Sequence, residues 1–487
     1  MRFASLLLAL LVSAAPSAET KLSTLFTDGM VLQRDLACPV WGTAAPGAEV
    51  AVEIAGQKKS AKADADGKWS LKLDPLAAGG PHELKIGERV IKDVLVGEVW
   101  VCSGQSNMEW SVNASLNPAE EKAAAVHPKL RLFTVPKKQA DAPVTDIPSA
   151  WKVCGPETVG SFSAVAYFFG RDLQKAIDVP VGLIHTSWGG TAAELWTKNQ
   201  ILAGNSELKP LVDDFPARIK AWEAAVAKHP EAVAKAKAEG KAEPRAPGKP
   251  MAPSCLYNGM IAPLLPYGIR GAIWYQGESN ASRAKQYETL FPAMIKNWRD
   301  DWGQGEFPFG FVQLANFMAR KSEPGESNWA ELRDAQTKTL ALPNTGMAVI
   351  IDIGDEKDIH PKNKQDVGKR LSAWAQAQVY KKPVVYSGPI LDALKVEGTS
   401  ARISFKHVGG GLTAKGDVLK GFAIAGEDRA FVWADAKIDG ETVVVSSPKV
   451  AKPAAVRYAW ADNPECNLYN KEGFPASPFR TDAWPRK

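Results

Sequence analysis

Apolar and polar positions change rhythm twice along the chain. From about residue 21 to residue 91 the segments are short and alternating, as in AEVAVEIAG, GKWSLKLDP and HELKI, with Pro-Gly, Asp-Gly and Gly-Gly between them. Alternation at period two with turn residues at short intervals predicts a small antiparallel β domain. The rhythm then shifts to unbroken apolar runs: EVWVC, KLRLFTV, VPVGLIHTS, GAIWYQ, FPFGFVQL and GMAVIIDIG. Continuous runs of this length fit strands covered on both faces. Helical stripes lie between several of them: Val165, Phe168, Phe169, Leu173 and Ile177; Leu290, Met294, Ile295 and Trp298; and Val367, Leu371, Trp374 and Ala375. Strand–helix alternation predicts an α/β region with a mostly parallel sheet and helices on both faces. After about residue 381 the alternation returns in ALKVEGTSARISFKHVGGG and ETVVVSS, predicting a second β-rich domain.

The expected division is therefore an N-terminal β-rich domain over 19–92, an α/β domain over 93–380 and a C-terminal β-rich domain over 381–487. The Pro/Asn-rich tail of the last is expected to pack back on the body. A charged Ala/Lys/Glu helix with a Pro-rich loop, about 215–253, reads as an insertion. Residues 1–18 have one early arginine, the apolar run FASLLLALLVSA and small residues after it. That is the pattern of a secretory signal peptide, so the mature chain is expected to be exported, periplasmic or extracellular. No apolar stretch is long enough to span a bilayer.

Composition narrows the reading only a little. The chain has 487 residues, a formal net charge of +5 and 23% charged residues. Its basic side chains are interspersed with acidic ones, so a nucleic-acid partner is not expected. Five cysteines without a CxxC motif give neither a disulfide framework nor a thiolate metal site. Cys102 reads as a small buried hydrophobe. Neither a metal nor a cofactor is expected.

Ligands of open parallel sheets bind beyond the carboxyl ends of the strands, which directs attention to the residues just after each apolar run. EVWVC leads into Ser103-Gly104-Gln105-Ser106-Asn107, and VGLIH into Thr186-Ser187-Trp188-Gly189-Gly190-Thr191. GAIWY leads into Gln276-Gly277-Glu278-Ser279-Asn280, and AVIIDIG into Asp355-Glu356-Lys357-Asp358-Ile359-His360-Pro361. If these loops converge they bring together a hydroxyl, an imidazole, acids and amide donors, the parts of serine acyl transfer. Ser106 is the candidate nucleophile and His360 the candidate base. Asp358 is the first choice of acid, ahead of Asp355 and Asp352. Gly190 or Gly189, with Gln276 and Asn280, are candidates for the oxyanion hole. Taken singly each has a plainer reading: a serine as a turn, an amide as a helix cap, a histidine as a structural residue. Pro361 favours the first helical position, which places His360 at a helix N-terminus where the dipole disfavours imidazolium. The segment is not G-x-S-x-G, because Met108 stands where a nucleophile elbow has glycine, so an α/β-hydrolase reading is set aside.

GQSNMEW, TSWGGT, WYQGESN and DIHPKNK, in that order, resemble the sialate O-acetylesterase-like carbohydrate esterases of the SGNH hydrolase superfamily. LFTDGMVLQRD near the start and VRYAWADNP with PASPFRTD near the end are similar to that family's flanking segments. The resemblance implies an SGNH-type flavodoxin-like sheet flanked by β domains, and metal-independent removal of O-acetyl groups from a sugar. Ser106 matches the nucleophile block, Gly190 or Gly189 the glycine block, Gln276 and Asn280 the third block and His360 the last. One departure is visible: the superfamily's final block is Asp-x-x-His, and here Lys357 stands three residues before His360. The expected substrate is an acetylated carbohydrate, such as acetylated sialic acid or an acetyl-xylan-type glycan. Of the 16 tryptophans, Trp110, Trp188 and Trp274 lie beside these blocks, where they would stack on a sugar or fill the core. A lipase or thioesterase of the same superfamily, or a non-catalytic carbohydrate-binding protein, are the competing readings.

Overall fold

The computed structural model describes residues 20–485; the expected signal peptide lies outside them. Its central feature is β1 (Arg89–Gly104), a 16-residue strand. The first half pairs antiparallel with Gly79–Ile86 and parallel with Val31–Gln33. The second half enters a parallel sheet formed with β2 (His127–Thr134), β4 (Val181–Ser187), β5 (Gly271–Tyr275), β6 (Phe309–Val312) and β7 (Thr345–Ala348). The order across this sheet is β2-β4-β1-β5-β6-β7, with β3 (Lys152–Cys154) antiparallel on the outer edge of β2. Each apolar run thus becomes a strand. The boundary expected at residue 92 falls inside β1: the N-terminal sheet and the parallel sheet share one strand. Alternation fades only gradually into the unbroken run, so the change of rhythm does not mark a break in the backbone.

The unbroken hydrophobicity results from coverage on both faces. Along β1, Val99 and Val101 belong to one core and Trp100 and Cys102 to the other. On the first face α4 (Ala284–Trp302) packs Phe291 and Trp298 with Trp274, Phe309 and Phe311. On the second, α2 (Ala164–Ile177) and α6 (Lys364–Trp374) pack Phe168, Phe169, Leu371 and Trp374 against Trp100. Cys102 is enclosed, and burial pushes its thiol well above the ordinary range, as suits a small core side chain. All five cysteines are free thiols. Midway along β1 the buried Glu98 carboxylate takes both Arg34 and Arg270, the latter through Nε at 2.6 Å. This pairing ties the N-terminal segment to the loop before β5.

The charged segment forms α3 (Phe215–Ala238), a mostly exposed helix with a Pro-rich loop after it. Beyond residue 381 lie antiparallel sheets, one of which orders Ile390–Glu397, Ser400–Lys406, Thr442–Ser446 and Asp435–Asp439. Their core is Ile403, Val443, Phe422, Tyr458 and Phe479. The residues just before the tail meet the α/β part through Arg333 of α5 (Asn328–Lys338), a fully buried guanidinium donating to the carbonyls of Ala461 and Asp462 at 2.7 and 2.9 Å. Among the described residues no helix is long and apolar enough to cross a membrane.

Candidate active site

The carboxyl end of β1 turns sharply. Gly104 has φ +144°, and a Cβ there would sit 2.1 Å from the Tyr275 carbonyl oxygen, so only glycine fits the turn. Ser106 opens α1 (Ser106–Glu109), a single helical turn. The two amides beside the serine hold that turn. Gln105 Oε1 accepts from the Ser279 amide at 3.2 Å. Asn107 Nδ2 donates to Glu278 Oε1 at 2.6 Å and to the Ile359 carbonyl at 3.1 Å. The turn carrying Ser106 is thereby fastened to the loop after β5 and to the segment carrying His360. From the other side, Ser163, which caps α2, donates to the Met108 carbonyl at 2.6 Å.

His360 Nε2 lies 2.9 Å from Ser106 Oγ. On the other side of the ring, Nδ1 is 3.5 Å from Asp358 Oδ1, and the same oxygen accepts from the His360 amide at 2.9 Å. The Trp110 indole stacks on the imidazole, with centroids 4.7 Å apart and planes 12° apart. Of the three aspartates considered, Asp352 is committed elsewhere: Arg370 donates to both its oxygens, at 2.6 and 2.8 Å. Asp355 accepts from the amides of Lys357 and Asp358, which lower its pKa, and shapes the loop. Asp358 is the one beside the imidazole.

The helix expected to start at Pro361 starts three residues later. Asn363 is the N-cap of α6, accepting from the Asp366 amide at 3.0 Å, and His360 precedes the cap by three residues. A side-chain cap outcompetes the proline preference here. The helix dipole is therefore not what acts on His360. Its pKa is lowered first by burial and then by the nearby Lys364 ammonium, with Asp358 opposing both. Lys364 itself is fully buried, and desolvation pulls its pKa down to about 7.

Gly189 lies against Ser106: a Cβ on it would be 3.2 Å from Ser106 Cβ. Its amide donates to Glu109 Oε2 at 2.7 Å, and Glu109 pairs with Lys137 through Oε1 at 2.5 Å. Gly190 has φ +73° and open space around its Cβ position. Gln276 is fully buried; its Nε2 donates to the Thr191 carbonyl at 3.3 Å and to Asn280 Oδ1 at 2.7 Å, and its Oε1 accepts from Tyr287. Asn280 Oδ1 also accepts from the Ala193 amide at 3.0 Å, and its Nδ2 donates to Glu194 Oε2 at 3.0 Å. Both amides brace the loop that carries Gly190. Trp274 is wholly in the core, Trp188 is half-buried with the Lys137 ammonium 5.5 Å from its ring, and Trp110 is taken up by His360.

Sequence reasoning did not single out Gln105, Asn107, Glu109 or Lys364 as site residues. The pairing of two amides around one serine was the available signal. Lys364 gave none, because in sequence it is one of many lysines near a helix start.

A parallel α/β sheet with a hydroxyl, an imidazole and a carboxylate grouped at its carboxyl rim defines the class as α/β proteins equipped for acyl chemistry. The family emerges from comparison. Residues 96–239 and 251–376 match the model of the carbohydrate esterases described as sialic acid-specific acetylesterases, and the chain belongs to this family. Mouse sialate O-acetylesterase is 30% identical over 515 residues, covering 92% of each chain. The human sialate O-acetylesterase is 31% identical, over 94% of this chain and 92% of its own. Among solved structures, a carbohydrate acetylesterase from Xanthomonas citri superposes with a TM-score of 0.83 at 41% identity, covering 96% of this chain and all of that one.

Proposed function

We propose that this chain is an exported serine esterase that removes O-acetyl groups from sugars through an acetyl-enzyme, with Ser106 as nucleophile, His360 as base and Asp358 as the acid that orients it. The observation that carries the reading is the 2.9 Å contact between Ser106 Oγ and His360 Nε2. His360 takes the Ser106 proton as Oγ attacks the acetyl carbonyl. The amides of Ser106 and Gly190 and the second N–H of Asn280 Nδ2 serve the oxyanion, and Gln276 holds the Gly190 loop. The intermediate collapses, and the sugar oxygen leaves with the proton from His360. Water, deprotonated by the same imidazole, then attacks the acetyl-enzyme; acetate departs and Ser106 regains its proton.

An SGNH-type architecture accompanies this reading. With β2 and β3 set aside as edge additions, the parallel strands run in the order β4-β1-β5-β6-β7, which is second, first, third, fourth and fifth along the chain, as in flavodoxin-like sheets. Acetylated sialic acids are the first substrates to test, given the family and its curated members; acetylated plant or bacterial glycans come next. The test is acetate release from a panel of such sugars by wild type and Ser106→Ala. Turnover of O-acetyl sugars that vanishes in the variant supports the reading; a variant with near wild-type turnover overturns it. Acyl esters longer than propionyl should be poor substrates, and preference for long chains would favour a lipase instead.

A further inference from the structure

Beneath the nucleophile turn lies a charged cluster to which the chemical steps above give no role. Lys364, the first residue of α6, is completely enclosed, and its Nζ donates to Asn107 Oδ1. Through Nδ2 the same Asn107 side chain reaches Glu278 Oε1 and the Ile359 carbonyl. The other Glu278 oxygen is buried without a hydrogen-bond partner. Lys364 Nζ lies 5.9 Å from the Trp110 ring that stacks on His360, and 5.4 Å from the Tyr275 ring. An ammonium and a carboxylate withdrawn from water, joined only through one amide, are costly to keep, and apolar side chains of the same size would pack there more cheaply.

Building on the serine-esterase reading, we infer that Lys364 and Glu278 are positioning residues for the Ser106–His360 pair: bridged by Asn107, they lock the nucleophile turn to the backbone that carries the imidazole. The bridge grips both reacting groups through their immediate chain neighbours: Asn107 comes directly after Ser106, and Ile359 precedes His360. The lock also sets the local field. The Lys364 ammonium faces the Glu278 and Asp358 carboxylates and the His360 ring; Glu278 faces Lys364 and the Tyr275 phenol; His360 faces Lys364 and Asp358. Behind Trp110, the Lys364 cation disfavours imidazolium and so keeps His360 ready to accept a proton. Burial pulls Lys364 down to about 7 and raises Glu278. Rising pH through about 7 therefore discharges Lys364 and loosens its hold on Asn107.

The experiment is a set of pH–rate profiles for an aryl acetate with wild type, Lys364→Met and Glu278→Gln, each accompanied by its melting temperature. Lys364→Met should lower kcat by about 10- to 100-fold with KM little changed, the scale of a small misplacement of reacting groups. Its acidic limb should move to higher pH, because the cation opposing imidazolium is gone. Glu278→Gln keeps the acceptor for Asn107 but removes the counter-charge. Lys364 then loses its proton at lower pH, and the alkaline limb should move down. Unmoved limbs with kcat within about twofold of wild type would overturn the inference, as would a lowered melting temperature as the sole change. If Lys364→Met does not fold, the alkaline limb of Glu278→Gln decides. A wild type that neither cleaves the ester nor reacts with a serine-directed phosphonate refutes the serine-esterase reading, and this inference falls with it. An active wild type with unshifted variants refutes the inference alone.

Discussion

Two hydroxyl–imidazole pairs lie near the carboxyl rim of this sheet, and their contacts are similar in length. His360 Nε2 meets Ser106 Oγ at 2.9 Å, and His185 Nε2 meets Ser187 Oγ at 2.6 Å. Everything around them differs. The Ser106 pair is partly open and has a carboxylate at the second ring nitrogen. The Ser187 pair is enclosed within β4, and His185 Nδ1 has no hydrogen-bond partner. Burial depresses the pKa of His185 to about 4, so it is a weak base. A short Ser–His distance is thus not a catalytic device by itself; access and an orienting third group make it one.

The comparison breaks most sharply with one atom. Ser106→Ala should lower acetate release by roughly 10³-fold or more, by analogy with other serine triads, and abolish phosphonate labelling. Ser187→Ala should retain both, and labelling that tracks Ser187 would reverse the assignment. A step smaller is the third group. Asp358→Asn should reduce kcat by on the order of 10- to 100-fold, less than for an enclosed triad acid because Asp358 is half exposed. Asp352→Asn should leave kcat near wild type and act on stability through Arg370, as kinetics and melting of the same preparations would show.

Proton linkage separates the two histidines again. The acidic limb of kcat/KM should lie below the ordinary histidine value of 6.5, because burial and Lys364 hold His360 down. Folding stability should fall as pH drops from 6.5 towards 4, since the unfolded chain protonates His185 first and the folded one resists. Denaturant titrations of wild type and His185→Gln across that range would show the slope reduced in the variant. The smallest effect is expected from Ser187→Ala on folding: about 1–3 kcal/mol from leaving His185 Nε2 unpaired, read from urea denaturation.

Much of the fold and site was legible in the sequence, for identifiable reasons. Strands covered on both faces must be apolar throughout, so each core strand announced itself. Because ligands gather beyond strand ends, the loops carrying Ser106, Gly189 and His360 could be picked out from the residue pattern. Local competition was not legible. The start of α6 depended on whether Asn363 or Pro361 governs, and the side-chain amide of a cap wins over a preference for φ. Nor were interactions between distant charges: Lys364 is one lysine among many in the sequence until Asn107 joins it to Glu278. Trp274 had two readings, and the core won because β5 is enclosed on both sides. That a single strand runs through the boundary drawn at residue 92 was not legible, because the change of rhythm there leaves the backbone unbroken.

That shared strand has a mechanical consequence. At about 3.3 Å per residue β1 is a beam of roughly 50 Å, anchored at one end in the N-terminal sheet and bearing Ser106 just past the other. A slip of a single residue anywhere along it would swing Trp100 and Cys102 to the opposite face. Exchanging domains by a cut near residue 92 would therefore sever the member on which the Ser106 hydroxyl is cantilevered.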